Sequence, residues 1–392
     1  QTLRIYQRHQ SGLPLAEFDM TSFLDLPDIE SGLPREVDVE ASTRVGNRLY
    51  WLGSHSHAEI GETRTNRTRA WGTDLVVEGP VVSLRFVAYY EFLKVDLIEW
   101  DRQNLHGKGA NYYGLEASDA DGVPPKAPDG SGFSIEGLAM MPGDTNGAYI
   151  AFRAPIVPAE DRHYALVVPV LNFASLLSTG GPPGSAIFGA PIEMELYDRG
   201  IRSLEGNQNG YLIVAGPAQL AAGAYPQDFR LYTWTGIPGD SPQLRSTDLT
   251  GANPEGIIEL PTLPWTSDSS VELLSDNGLT VYYGDRTPAK RLPYSGFKKC
   301  RSDVFRLGRI MPPPPAIYSI EYAGETCRLS WRALKGKTYR LQSKDALVPD
   351  EWQDMLEPLV AEEPIVRVTV SASSLSRFYR VYLVGADEFA RN

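Results

Sequence analysis

Apolar and polar residues alternate over short runs along most of the chain, and the runs end at glycine, proline, asparagine or aspartate. A period of two with such punctuation predicts many short, half-buried strands. The pattern repeats within the first 311 residues. Four segments open with an apolar residue, a charged residue and a small one: "VEAS" at Val39, "IEGL" at Ile135, "IRSL" at Ile201 and "PEGI" at Pro254. A second strand follows each, namely "RLYWLGS" (Arg48–Ser54), "AYIAFRAP" (Ala148–Pro155), "YLIVAGP" (Tyr211–Pro217) and "SVELLSD" (Ser270–Asp276). Third and fourth strands complete most units, as in "HYALVVPVLNF" and "AIFGAPIEMEL". The one amphipathic helix is expected near Val82–Trp100.

A four-stranded unit that recurs every roughly 50–95 residues reads as a blade of a β-propeller. The fold class is therefore all-β: a propeller of about five blades with the first incomplete, or else an elaborated sandwich. "LRIYQRH" and "PLAEFDM" look like outer strands of the incomplete blade, and "VFRLGRI" (Val304–Ile310) is an alternative closing strand. The Gly-, Asp- and Pro-rich stretch Asp101–Gly132 is expected to be an insertion or long surface loop. "MPPPPA" (Met311–Ala316) then sets a stiff boundary. The expected organisation is a propeller over 1–311, a linker over 312–316, a small β-sandwich over 317–385 and a tail over 386–392.

Composition agrees with short strands and tight turns, with 36 glycines and 30 prolines in 392 residues. A formal net charge of −12 argues against nucleic acid or an anionic membrane as a partner for the whole surface, although a local basic patch survives that argument. No apolar run reaches the length of a membrane span. The chain opens at Gln1 with no signal segment and reads as a mature or trimmed chain. Its two cysteines, Cys300 and Cys327, are either free thiols or one disulfide.

The run "DVEAS … RLYWLGSHSH … TRTNRTR", "SIEGLA … AFRAP", "RGIRSLEG … YLIVAGP", "NPEGI" and "LLSDNG" resembles a bacterial propeller family similar to the phytase-like, esterase-like propellers. The resemblance covers roughly residues 1–310 and implies a propeller in an exported protein, secreted or periplasmic, without fixing a reaction. The last 70 or so residues, with "EWQDM" (Glu351–Met355) and "RFYRVYL" (Arg377–Leu383), resemble the fibronectin-like modules of secreted bacterial proteins.

The first strand of each propeller blade lines the axis, so equivalent positions form a ring. Aligned in this way, Glu40, Glu136, Arg202 and Glu255 share one ring. Crowded carboxyl groups either hold a proton between them or share a cation, with Ca²⁺ or another divalent ion on Glu40, Glu136 and Glu255. The same three acids are candidates for general acid and base. Arg202 and Arg153 of "AFRAP" are candidates for holding an anionic substrate. "GSHSH" supplies Ser54, His55 and His57 at a strand end, His55 as a candidate base and His57 as a substrate contact, or both as metal ligands. "TRTNRTR" adds Arg64, Arg67 and Arg69, of which Arg67 is the candidate substrate contact. Asp276 and Asp285 read either as calcium ligands or as turn residues. Strand-end capping, loop structure and surface ion pairing are the plainer roles for all of these residues.

No G-x-S-x-G elbow, P-loop or H-E-x-x-H motif is present. The expected function is a hydrolase acting on an anionic extracellular substrate, a phosphate ester or a charged polysaccharide. A polysaccharide lyase with His55 as base, and a non-catalytic glycan- or protein-binding propeller, are the alternatives. No nucleic-acid partner and no membrane span are expected.

Overall fold

The computed structural model describes residues 1–79, 81–219, 228–312, 315, 317–333, 335–345, 351–363, 365–371 and 377–384. The chain forms two units, Gln1–Ile310 and Met311–Asn392. Pro313, Pro314 and Ala316 of the proline stretch, and the tail expected over 386–392, lie outside the described residues.

The first unit opens with an antiparallel hairpin, β1 (Thr2–Ile5) with β2 (Ala16–Asp19), and a minimal pair, β3 (Ile29–Glu30) with β4 (Leu33–Pro34). Four antiparallel sheets follow, each with its strands adjacent in chain order. The first holds β5 (Val39–Val45), β6 (Arg48–Gly53), β7 (Ala70–Glu78) and β8 (Val81–Tyr90). Helices α1 (Leu93–Arg102) and α2 (Leu115–Ser118) lead to the second, β9 (Ser134–Met140), β10 (Ala148–Ala154), β11 (Ala165–Val170) and β12 (Ile192–Met194). Helix α3 (Phe173–Thr179) lies between its last two strands. The third sheet holds β13 (Arg199–Asn207), β14 (Gly210–Pro217), β15 (Arg230–Trp234) and β16 (Gln243–Leu244). The fourth holds β17 (Pro254–Glu259), β18 (Ser270–Ser275) and β19 (Arg301–Arg306).

The sheets stack face to face in chain order, and the strand sequences show why. Ile150 and Val168 on one face of the second sheet pack with Tyr50 and Leu52 of the first. Their neighbours Tyr149, Ala151 and Val167 point the other way, onto Ile213, Ala215 and Tyr232 of the third. Leu212 and Val214 then carry the third sheet onto Val271 and Leu273 of the fourth. A sheet covered on both faces needs apolar residues at every position. That is why β9, β10 and β11 are buried throughout, whereas β18 keeps its alternation. Each large apolar side chain so covered contributes about 1.5–3 kcal/mol. Leu3 and Phe18 of the first hairpin pack in one cluster with Trp51 and Trp71 of the first sheet. Arg8, just beyond β1, pairs with Glu259 and, at 3.2 Å, with Glu272 of the fourth sheet. The hairpin thus contacts both the first and the fourth sheets.

Three sequence expectations are corrected. Val82–Tyr90 is strand, not helix, because "VVSLRFVAYY" keeps a period of two as β8. The helix begins only at Leu93, where Leu93, Leu97 and Trp100 make a buried stripe at helical spacing. "VFRLGRI" supplies the outer strand of the fourth sheet, Ser270 opposite Arg306, and among the described residues it does not pair with the N-terminal strands. Asp101–Gly132 is an insertion but not a surface loop, since Tyr113, Leu115 and Ala127 are buried. The buried Asp101 carboxylate organises it by accepting the amides of Tyr113 (3.0 Å) and Leu115 (2.9 Å).

The second unit holds β20 (Ile317–Ala323), β21 (Thr326–Arg332), β22 (Thr338–Lys344), β23 (Gln353–Asp354), β24 (Leu359–Val360), β25 (Ile365–Ser371) and β26 (Phe378–Leu383). One sheet has the order β20-β21-β25, and in the other β22 pairs with β23, β24 and β26. Leu329 and Trp331 of one and Leu341 and Tyr339 of the other share the core. The "EWQDM" and "RFYR" segments meet where the Arg380 guanidinium lies 4.4 Å from the Trp352 ring centroid. Both cysteines are free thiols, so the disulfide alternative is dropped.

Candidate functional site

The first strand of each of the four sheets breaks register near its start, and β17 does so again between Ile257 and Glu259. On β5, Val39 faces Gly53 and Ala41 faces Leu52, which leaves Glu40 with no opposite number. The same shift isolates Glu136 between Ile135 and Gly137 on β9. It isolates Arg202 between Ile201 and Ser203 on β13, and Glu255 between Pro254 and Gly256 on β17. The four residues aligned from sequence are therefore the extra residues of four equivalent β-bulges. A bulge bends its strand and re-aims the extra side chain, here out of the sheet stack. β10 adds an irregularity of its own at Arg153, between Phe152 and Ala154.

The bulged side chains converge. Arg202 donates from Nε to Glu136 Oε2 at 2.6 Å and from its terminal nitrogen to Glu255. Arg153 donates to the other Glu136 oxygen at 3.0 Å and to the Ala218 carbonyl at 3.2 Å. Glu136, Arg153 and Arg202 are each only 4–5% exposed. Burial pushes the Glu136 carboxyl up, but Arg202 and Arg153 outweigh it and hold the group below the usual carboxylate range. Glu40 has no ion pair among the described residues, and burial, then Glu136 and Asp38, raise its carboxyl well above that range. Glu255 is raised by burial against the pull of Arg202.

Glu40, Glu136 and Glu255 line a cavity of about 320 Å³ together with Glu205, Asp276, three serines and Trp51. Sequence reasoning missed Glu205. Among the described residues its carboxylate accepts only the amide of Gly206, at 3.1 Å, and burial raises it to about 7. A second omission is Lys126, carried by the insertion. It interacts electrostatically with Arg153, Glu136, Arg202 and Glu255, and burial followed by Arg153 lowers its ammonium.

The histidines belong elsewhere. His55 is fully buried in a left-handed conformation (φ 56°), its Nδ1 lies 2.7 Å from the Gly53 carbonyl, and its Nε2 has no partner among the described residues. Burial, only partly offset by that hydrogen bond, lowers it to about 4. His57 Nε2 lies 2.9 Å from Asp119, which also pairs with Lys94 at 2.7 Å. Neither histidine lines the cavity. Ser54 is bonded to Ser56 at 2.8 Å. Arg67 binds Glu36 (3.0 Å), Asp38 (2.9 Å) and the His57 carbonyl (2.9 Å), and Arg69 binds Glu91 (3.0 Å) and the Leu24 carbonyl (2.7 Å). These two arginines fasten the chain before β5 to the first sheet. Arg64 pairs with Glu62 at 2.9 Å. Asp276 and Asp285 accept the amides of Gly278 (2.7 Å) and Thr287 (3.0 Å), as turn residues do.

A divalent cation fits this donor set poorly. Both Glu136 oxygens are bonded to guanidinium groups, and Arg202 already bridges Glu136 and Glu255. Among the described residues, no group of three or more His, Cys, Asp or Glu is arranged to hold a metal. No family model matches the chain, and no curated protein matches it.

Proposed function

We propose that the first unit is a β-propeller of five sectors, the hairpin β1–β2 standing as an incomplete one, and that its axial cavity is a hydrolytic site. Four stacked sheets with their first strands adjacent, and a hairpin that touches the first and last of them, support the propeller. The observation that carries the chemistry is the two cavity acids that burial raises and that have no cation partner among the described residues, Glu40 and Glu205. Glu205, near 7, exchanges a proton at neutral pH, and Glu40, raised by burial, Glu136 and Asp38, gives up its proton less readily than an ordinary carboxyl. A protonated carboxyl gives its proton to the leaving oxygen as the C–O bond breaks, and an ionised one takes a proton from the attacking water. Glu136 stays ionised, with Arg153 and Arg202 as its positioning residues.

The substrate class follows from the lining. Five carboxyl side chains, serine hydroxyls and one tryptophan suit a hydroxyl-rich chain such as a polysaccharide. A substrate carboxylate or phosphate would be met by Lys126, since both arginines are already bonded to protein acids and carbonyls. The resemblance to exported modules supports a secreted or periplasmic setting. A second reading, a glycan-binding propeller without turnover, is favoured by the fully bonded Glu136–Arg153–Arg202 network, which works as scaffold without any reaction.

The test uses the full chain against chromogenic glycosides, uronate polysaccharides and phosphate monoesters. Glu205→Gln is expected to lower turnover at least about 100-fold without loss of melting temperature at neutral pH. Glycan binding that is intact in wild type and variant, with no turnover of any class, replaces the hydrolase with the binding module.

A further inference from the structure

The connection between β18 and β19, Asp276 to Cys300, is far longer than the about two to five residues that join ordinary paired strands. It is nevertheless a folded loop. Ala289 and Leu292 are buried, the Ala289 amide reaches the Thr280 carbonyl at 2.9 Å, and the Tyr283 hydroxyl donates to the Phe297 carbonyl at 3.0 Å. While two apolar residues are tucked in, others are held out: Leu279 is 70% exposed, Tyr294 68% and Phe297 54%. Leu13 from the β1–β2 connection, 71% exposed, lies against Gly296 and extends the patch. Isolated exposed apolar residues need no explanation, but a cluster on one loop does.

The loop is also basic in an acidic protein. Residues 276–300 carry Arg286, Lys290, Arg291, Lys298 and Lys299 against two acids, Asp276 and Asp285, while the whole chain stands at −12. None of the five basic residues has an ion pair among the described residues. Lys299 lies over the Tyr283 ring at 4.8 Å, with its charge free for an outside partner.

We propose that this loop docks the protein onto an anionic lipid surface. Lysines meet the headgroups, while tyrosine, phenylalanine and leucine side chains enter the boundary with the acyl chains. The acidic remainder does not prevent this, because charges beyond about 8 Å are screened at physiological ionic strength while the loop touches the surface. An anionic polysaccharide would satisfy the cations equally but would leave Leu13 and Leu279 in water. Among the described residues no helix is long and apolar enough to cross a membrane, so the docking is peripheral.

Cys300 supplies the probe, since it is exposed at the loop's end and Cys327, the other cysteine, is buried. The full chain carrying an environment-sensitive dye at Cys300 is mixed with phosphatidylcholine vesicles, with or without about one-third phosphatidylglycerol. A blue shift and co-sedimentation only with the anionic vesicles are expected. Lys298→Ser with Lys299→Ser should weaken partitioning about 30-fold. Leu279→Ser with Tyr294→Ser should weaken it about tenfold, with unchanged melting temperatures for both variants. Absence of binding to anionic vesicles overturns the proposal. Undiminished vesicle binding by the Leu279/Tyr294 variant also overturns it, and together with dextran sulfate binding it reassigns the loop to soluble polyanions.

Discussion

Arg202 Nε donates to Glu136 Oε2 at 2.6 Å, and both residues are the extra members of equivalent bulges on adjacent inner strands. The pair joins the second and third sheets at the point where a regular strand would send either side chain into the stack. Because Arg153 bonds the same carboxylate, Glu136 is shared by two buried guanidinium groups, and only Arg202 has a second acid, Glu255, among the described residues. Neutralising Glu136 therefore leaves uncompensated buried charge. Glu136→Gln is expected to cost about 3–5 kcal/mol in urea denaturation, against about 1 kcal/mol for the more exposed Glu255→Gln. Equal small losses would show that the network does not hold the strands together.

The small residue after each bulge separates into two cases. A Cβ on Gly137 would meet Ala151 Cβ at 2.7 Å and, from the neighbouring inner strand, Leu204 Cβ at 3.0 Å. On Gly256 the nearest atom is Leu274 Cβ at 3.3 Å, on its own partner strand. Gly137→Ala should destabilise by about 1–3 kcal/mol and Gly256→Ala by less than about 1 kcal/mol, read from denaturation midpoints. The reverse order would remove the close approach of β9 and β13 as the reason for glycine.

Glu205 makes stability fall towards alkaline pH. Its folded value near 7 lies above the ordinary carboxylate value of 4.5, so the folded state binds more protons between the two. The stabilisation is complete below pH 4.5 and is lost as pH rises to about 7, roughly 2 kcal/mol in all for this half-buried group. Glu205→Gln should flatten that limb in midpoints measured from pH 4 to 8. An unchanged slope would place the titration elsewhere.

His55 has the opposite sign. Its folded value of about 4 lies below the ordinary 6.5, so stability is present above pH 6.5 and is lost as pH falls towards 4. Asparagine tolerates the left-handed backbone at this position. His55→Asn should remove about 3 kcal/mol of acid dependence, measured by the same denaturation series. A wild-type acid limb in the variant would rule out buried neutral His55 as its source.

The arginine-bonded acid cluster also predicts indifference to divalent cations. A site saturated a hundredfold above its Kd would add about 2.7 kcal/mol to stability. Calcium or a chelator should shift the melting temperature of the full chain negligibly. A shift of several degrees with Ca²⁺ would return the cluster's acids to the role of metal ligands.

Much of this arrangement was legible without coordinates, and for one reason. Strand repeats carry their own register, so aligning "VEAS", "IEGL", "IRSL" and "PEGI" brought Glu40, Glu136, Arg202 and Glu255 to one level, where the structure places them on four matching bulges. Local alternation likewise marked the strands and the all-β class. It misread β8 as helix because a strand ten residues long runs almost directly into α1.

What local pattern does not encode is which partners a buried charge finds. Arg153 and Arg202 looked free for an anion, yet protein carboxylates had already claimed them. Glu205 stands three residues after Arg202, a spacing that alternation sends to opposite faces until the bulge removes the alternation. Lys126 comes from an insertion distant in sequence from every one of the four bulge residues except Glu136. The shared bulge position of Glu40, Glu136, Arg202 and Glu255 is a property of the repeat, so the sequence alone determined it. Protonation and pairing depend on distances between segments far apart in the chain, and those only the tertiary structure decided.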